Sequence, residues 1–496
     1  MCCFSSMTSL CMICLMQAKR GSVMGALDRI SGLLGHLTDQ ILSYLPLKHY
    51  VVRRASLLSS EFRYAGTTSD RISDLPRHLT DQILSCLPLK DAVRTSVLSS
   101  KRRYTWTTIP GLVFDDSCSA QSPSGTLSST YRLVDIVDRV LSSHTGTIEK
   151  FGVLCETLID ISDVDRWLLH LWRASTKELR LRFVNLQGYE MPSSLFLCHD
   201  LVNLDLAFCS LKPPPAFKGF KNMTILKLYV VKMSRYEIES LIKGSPLLQT
   251  LMLAPNARDI FCLSIDAPNL RHLELFGCGL EAVSFGGHRL TSLMVASFTL
   301  RWCGENQDAN RSYLLEFFDQ LPQIERLSIN SWFLRYLSFG KVPEILPDPC
   351  IRLQCISINM DIRSLAEITT VLCILKGSPN LKELHLSGKE FDFSEDRELN
   401  GNFWDDYSSP CSFENLKVVS LISLPHTRQI MGFIWFLLSH SPALERMEVW
   451  SYPSHGTESC ELLLQECVQF PRASARADVV FMGCLKAAPR QLPVWD

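Results

Sequence analysis

From residue 176 onward the chain returns repeatedly to one short pattern, apolar-x-x-apolar-x-apolar. It reads TKELRL at 176–181, LVNLDL at 201–206, MTILKL at 223–228, LQTLML at 248–253, LRHLEL at 270–275 and LTSLMV at 290–295. IERLSI at 324–329, LQCISI at 353–358, LKELHL at 381–386, LKVVSL at 416–421 and LERMEV at 444–449 complete the series. Each unit alternates apolar and polar positions over a few residues, which predicts a strand with one buried and one exposed face. Between units lie stretches with helical spacing and firm stops: YEIESLIKGSP (236–246), AEITTVLCILKGSP (366–379) and IMGFIWFLLSHSP (430–442). Their Gly-Ser-Pro or His-Ser-Pro endings are expected to supply a C-cap and then a residue that cannot continue a helix. Upstream, 131–141 reads as a helix leading into the strand-like IEKFGVL at 148–154.

Counted between central apolar residues from Leu179, the steps are 25, 22, 25, 22 and 20, and later ones run between 28 and 35. Periods in the twenties with LxxLxL are the signature of leucine-rich repeats. Strand, loop and helix in succession predict an α/β solenoid whose parallel strands line a concave face. The irregular period predicts an uneven arc, with the widest insertions at Arg301–Arg311 and Phe391–Pro410. Cys209, Asn256 and Cys278 fall near the position where such repeats place an Asn or Cys to satisfy turn backbone groups, so a partial ladder is expected.

A different pattern precedes the repeats. In DRISDLPRHLTDQILSCLPLKDAVRTSVLSSKRRYTW (70–106), Asp74 caps a first turn opened by Leu75-Pro76, where proline's missing N–H costs nothing. Leu79, Ile83, Leu84 and Leu87 then share one helix face, Pro88 ends that helix, and Asp91 caps a second one carrying Val93, Val97 and Leu98. So short a segment is too small to bury this aliphatic surface alone, and the surplus face predicts docking to another chain.

These residues, with Arg102, Trp106 and the following IPGLVFDDS, resemble the F-box of plant F-box/leucine-rich-repeat proteins, over roughly a tenth of the chain. One departure is that the family usually has Trp near Arg103. The resemblance implies a helical module binding a Skp-type adaptor, and through it a cullin–RING ubiquitin ligase. The docking set it implies is Leu75, Pro76, Leu79, Ile83, Leu84, Leu87, Pro88, Val93, Val97 and Leu98. Farther on, FENLKVVSLISLP (413–425), the 430–442 helix, LERMEV and LLQECVQFPRASARADVVF (462–481) resemble the FBD region of the same family, a looser match.

The module is duplicated. Asp28-Arg29-Ile30-Ser31 matches Asp70-Arg71-Ile72-Ser73, and His36 to Ser43 is identical to His78 to Ser85. The offset of 42 shifts to 40 by Ser59-Ser60, so the first copy carries two extra residues, which turn a helix by about 200°. It also has Gly32-Leu33-Leu34-Gly35 in place of the cap and starting proline. The expected organisation is therefore a disordered leader at 1–27, a degenerate duplicate at 28–69, the F-box at 70–116, a linker at 117–130, the solenoid at 131–410 and an FBD-like region continuing it at 411–496.

Composition narrows the function. A net charge of −1 over 496 residues gives no global reason for a nucleic-acid or anionic-membrane partner. The 19 cysteines include many inside apolar runs (Cys209, Cys278, Cys355, Cys373), where a free thiol acts as a small hydrophobe, and this favours a reducing, intracellular compartment, nucleus or cytoplasm. Residues 1–25 lack a positive charge ahead of their apolar patch and a clean cleavage site, which argues against secretion, and no later run of eighteen apolar residues predicts a membrane span. Cys11 and Cys14 have CxxC spacing without a second pair, so no metal or other cofactor is expected. Nucleotide-binding, zinc-protease and serine-hydrolase motifs are absent, and the chain is expected to be a non-catalytic adaptor.

The positions flanking the last two apolar residues of each unit should point out of the sheet. They select Glu178, Arg180, Arg182, Asn203, Asp205, Lys227, Tyr229, His272, Glu274 and Phe276, then Arg326, Asn330, Glu383, His385, Arg446, Glu448 and Trp450. Mixed charge with some aromatics suits a protein target better than nucleic acid. With the resemblance, the expected role is the substrate-recognition subunit of a Skp–cullin–F-box ubiquitin ligase, acting by proximity. The alternatives are a protein-interaction scaffold without a ligase role and a ligand-sensing repeat protein, for which Arg180 with Arg182 is the nearest hint of an anion site.

Overall fold

The computed structural model describes residues 89–95, 104–115, 118, 128–155, 161–183, 189–254, 263–277, 284–285, 289–297, 311–388, 403–406, 411–422, 428–451, 466–467 and 469–484. Two compact units are distinguished, one of Met1–Asp163 with Phe183–Asn185 and one of Val164–Arg182 with Leu186–Asp496.

In the first unit, helix α1 (Leu89–Thr95) buries Leu89 and Ala92. Ala92 shares a small cluster with Ile109, and the half-buried Trp106 packs on it. Strand β1 (Gly111–Asp115) runs parallel to β2 (Lys150–Cys155), with Leu112 opposite Phe151 and Phe114 opposite Val153. Helix α2 (Ser128–Ser143) connects them and buries Leu133, Val137, Val140 and Leu141, the spacing of a single helix face. It starts at Ser128, inside the stretch read from sequence as a linker.

The second unit is built on one parallel ladder. Helix α3 (Ile161–Arg173), which crosses the boundary between the units, buries Val164, Trp167, Leu168 and Leu171. Then follow β3 (Glu178–Phe183), β4 (Asn203–Ala207), β5 (Ile225–Tyr229), β6 (Thr250–Ala254), β7 (His272–Gly277) and β8 (Ser292–Ser297). The ladder continues through β9 (Arg326–Ile329), β10 (Cys355–Met360), β11 (Glu383–Gly388), β12 (Val418–Ile422), β13 (Arg446–Ser451) and β14 (Asp478–Cys484). The central residues of the sequence pattern stand side by side: Leu179, Leu204, Leu226, Leu251, Leu273 and Leu293, then Leu327, Ile356, Leu384, Val419 and Met447. None is more than 2 % exposed. Burying each is worth about 1.5–3 kcal/mol, and a one-residue slip of any strand would turn its whole apolar set outward, so the motif sets the register. The last strand, β14, adds a rung beyond the repeated motif.

Helices cross over between strands. The three read from sequence are present as α4 (Arg235–Lys243), α7 (Leu365–Lys376) and α9 (Arg428–His440). Three short ones were not read from the pattern: α5 (Tyr313–Asp319), α6 (Ser331–Leu337) and α8 (Phe403–Asp406). Ser312 and Asn330 cap α5 and α6. Asn330 therefore serves a helix N-terminus, its Oδ1 accepting from the Phe333 N–H at 3.2 Å, and is not an outward strand residue.

The helix ends carry the expected C-cap glycines, the Gly244 N–H donating to the Ser240 carbonyl at 2.9 Å and the Gly377 N–H to that of Cys373 at 3.0 Å. Gly244 and Gly377 follow α4 and α7 in right-handed conformation, so freedom of φ is not why glycine stands there. A methyl on Gly244 would lie 2.7 Å from Gly219 Cα, and one on Gly377 would meet Leu346 at 2.7 Å. The serines that follow add a second bond to each helix end: Ser245 Oγ donates to the Leu241 carbonyl at 2.9 Å and Ser378 Oγ to that of Ile374 at 2.7 Å. The asparagines that bridge repeats also precede the strand instead of following it. Asn269 donates to the Pro246 carbonyl (3.0 Å), Asn380 to that of Ile351 (2.8 Å) and Asn415 to that of Pro379 (3.0 Å). Cys209 is buried in a two-residue strand beside Tyr189–Glu190, whereas Asn256 and Cys278 lie outside the described residues. Cys198, Cys209, Cys355, Cys373 and Cys467 are buried free thiols. Among the described residues no helix is long and apolar enough to cross a membrane.

Candidate functional site

Alternation along each strand leaves one face of the ladder polar, and parallel register arranges that face in three rows. The middle row runs Arg180, Asp205, Lys227, Met252, Glu274, Met294, Ser328, Ser357, His385, Ser420, Glu448. A flanking row carries Glu178, Asn203, Thr250, His272, Ser292, Arg326, Cys355, Glu383, Val418 and Arg446. Arg182, Tyr229, Phe276 and Trp450 occupy the third row on their own strands. The residues picked from the motif, Asn330 apart, are thus brought onto one surface, though they span many repeats.

Three of them, Arg180, Arg182 and Asp205, engage one another in this arrangement. Asp205 is buried, its side chain 2 % exposed, and it gathers both arginines of β3. Arg182 grips it with two hydrogen bonds, Nε to Oδ1 at 2.8 Å and Nη2 to Oδ2 at 2.7 Å, while Arg180 Nε lies 2.9 Å from Oδ2. The Arg182 guanidinium also lies 4.6 Å over the Tyr229 ring. Burial works against the Arg182 charge, but hydrogen bonding and attraction to Asp205 outweigh it and hold its pKa above the ordinary value. Burial likewise pushes the Tyr229 phenol upward. The anion site suggested by Arg180 with Arg182 is therefore already filled by a carboxylate of the chain itself.

The centre of the face is less charged. Glu274 stands between Met252 and Met294, and burial raises its carboxyl pKa while Lys227 pulls it back. Ser328 and Ser357 follow, both buried, with hydroxyls that have no hydrogen-bond partner among the described residues. Farther along, Glu383 lies between Cys355 and His385, and Arg446 Nε pairs with Glu448 at 2.8 Å. Burial drives the Cys355 thiol up to about 12 and lowers the His385 imidazole, which Glu383 and Glu448 pull back. Sequence reading missed Met252, Met294, Ser328, Cys355 and Ser357 on this face. Each fills an outward slot of the same motif, so the signal was present, but selecting charged and aromatic residues passed over them.

Of the adaptor-docking set, Val93 is described and half-buried on α1. Leu75, Pro76, Leu79, Ile83, Leu84, Leu87, Pro88, Val97 and Leu98 lie outside the described residues, as does all of the first copy of the module.

Comparison with known proteins agrees with both patterns. Residues 72–109 match the F-box domain, and 164–386 match the repeats described as FBD-associated F-box protein At5g56370, LRR repeats. The chain is 35% identical over 397 residues to F-box/FBD/LRR-repeat protein At1g13570 of Arabidopsis thaliana, covering 79% of this chain and 93% of that one. It belongs to the F-box/FBD/LRR-repeat family. FBD-associated F-box protein At1g66310 of the same plant is 27% identical over 434 residues, with 79% and 91% of the two chains covered. Putative F-box/LRR-repeat protein At3g59230 is 32% identical over 200 residues, 38% of this chain and 40% of that one. In this F-box/FBD/LRR-repeat protein the matched F-box segment falls in the second copy of the duplicated module and takes in α1 and the Thr105–Thr108 turn. The matched repeats run from α3 into β11, so they contain most of the polar face.

Proposed function

We propose that this chain is the substrate-recognition subunit of a Skp–cullin–F-box ubiquitin ligase. The observation that carries the reading is the F-box match at 72–109, coincident with the surplus apolar face read from the sequence. In this reading a Skp-type adaptor covers Leu75, Pro76, Leu79, Ile83, Leu84, Leu87, Pro88, Val93, Val97 and Leu98. The polar face of the repeats holds a target protein, through Glu178, Lys227, His272, Arg326, Glu383, Arg446, Glu448 and Trp450 among others. The chain itself forms no bond to ubiquitin. It raises the effective concentration of target lysines at an enzyme carried by its partners. Mixed charge on the polar face supports a protein target.

The test is co-purification with a Skp-type adaptor. Each buried leucine at such an interface contributes about 1.5–3 kcal/mol, and carboxylates in their place add a desolvation cost. Leu84→Asp with Leu87→Asp should therefore weaken binding about a hundredfold or more and abolish capture, with the circular dichroism of the repeats unchanged. Retained capture by a folded double variant overturns the docking face. Absence of adaptor binding by the wild-type chain would leave an interaction scaffold in its place.

A further inference from the structure

The same polar face brings together donor atoms of a kind that bind metal, at Cys355, Glu383 and His385. Cys355 and Glu383 stand opposite each other across β10 and β11, and two residues further along Ser357 stands opposite His385. Four side chains thus mark the corners of one patch of sheet, about 4.8 Å across the strands and 6.7 Å along them. The Glu383 carboxylate fills the space between the other two donors, with Oε2 3.6 Å from Cys355 Sγ and 3.7 Å from His385 Nε2. One donor atom from each of the three residues lies within 4.8 Å of the others.

We propose that Cys355, Glu383 and His385 bind one divalent ion of the zinc class, with water at the fourth position beside the Ser357 hydroxyl. Thiolate, imidazole and carboxylate together are a donor set for zinc and its neighbours, whereas magnesium and calcium take oxygen ligands. Metal–ligand lengths of about 2.0–2.3 Å put the ligand atoms of a tetrahedral site about 3.3–3.7 Å apart, which the two separations from Glu383 already match. A side-chain rotation closes the third. The two strands fix the Cα positions, and Glu383, whose side chain is 49% exposed, leaves the patch open to an ion from solvent while Cys355 is buried. On binding, the thiol gives its proton to solvent and the ion takes the thiolate; no electron is transferred. Ser357 is 1% exposed, and its hydroxyl, unsatisfied among the described residues, gains a partner in the bound water. Nothing in this site depends on adaptor docking, so it stands or falls separately from the ligase reading.

The experiment uses the full-length chain, stripped with chelator and titrated with Zn²⁺ alone and then with Co²⁺ as a spectroscopic probe. Other cysteines can take up metal, so the readout is the difference between wild type and variants. One equivalent of Zn²⁺, and the thiolate-to-cobalt charge-transfer band that accompanies it, should disappear in Cys355→Ser and in His385→Gln. Glu383→Gln should lower affinity about tenfold or more. The same stoichiometry and the same cobalt spectrum in wild type and in a folded His385→Gln variant overturn the site. Should Cys355→Ser fail to fold, His385→Gln decides alone, with melting curves taken with and without Zn²⁺: the ion should raise the wild-type midpoint by more than that of the variant.

Discussion

Replacing Asp205 by Ala removes the carboxylate that holds Arg180 and Arg182 and leaves a guanidinium 12% exposed without its partner. Breaking a buried pair in this way costs about 3–5 kcal/mol, because the remaining charge keeps its desolvation penalty. The Arg180 arm adds little, since that side chain is 41% exposed and water replaces much of what is lost. The expected loss is therefore about 3 kcal/mol, carried by the two Arg182 hydrogen bonds. Urea unfolding followed by circular dichroism should show the first transition of the repeats moving to lower urea in Asp205→Ala. It should move back when Arg182→Met is added, because that change removes the stranded charge. Single and double variants form a cycle that isolates the pair. An Asp205→Ala protein within about 0.5 kcal/mol of wild type would refute the reasoning, and so would a double variant weaker than the single.

Gly219 has φ +92°, and a methyl there would come 2.3 Å from the Gly244 carbonyl carbon, so Gly219→Ala should destabilise by roughly 2 kcal/mol or more, seen as a lower melting midpoint. Ser234 and Glu237 form a reciprocal capping box at the start of α4, and Ser234→Ala should cost about 1 kcal/mol in the same assay. Because the Glu274 pKa is raised on folding, the folded state binds more protons than the unfolded one, and its contribution to stability falls as pH rises from about 4.5 through the folded value. Glu274→Gln should therefore raise the urea midpoint at neutral pH and not below pH about 4; an equal shift at both would contradict the assignment.

Much of the ladder could be read in advance because a strand's side chains alternate with a period of two. The eleven central residues from Leu179 to Met447 were picked by pattern alone and fall in one buried row. Long helices with clear stops, such as Leu365–Lys376, were legible from their length, helical spacing and stop residues. The short helices Tyr313–Asp319 and Ser331–Leu337 were not, since two turns give too few apolar positions to establish a period. The C-cap glycine after α4 was legible, but the close approach of Gly219 that excludes a side chain there was not, because it is a contact with the preceding repeat.

By itself the sequence determined the strand order, the inward face and the F-box family, since these depend on periodicity and fixed local spacing. Tertiary structure alone decided which outward residues meet. Motif alignment sets Cys355 level with Glu383, but Arg182 is level with Ala207 and reaches diagonally to Asp205, a choice of side-chain packing that no spacing in the sequence encodes. Parallel register then places such residues side by side, where low exposure strengthens their attraction and sets whether an arginine faces a partner chain or a carboxylate of its own.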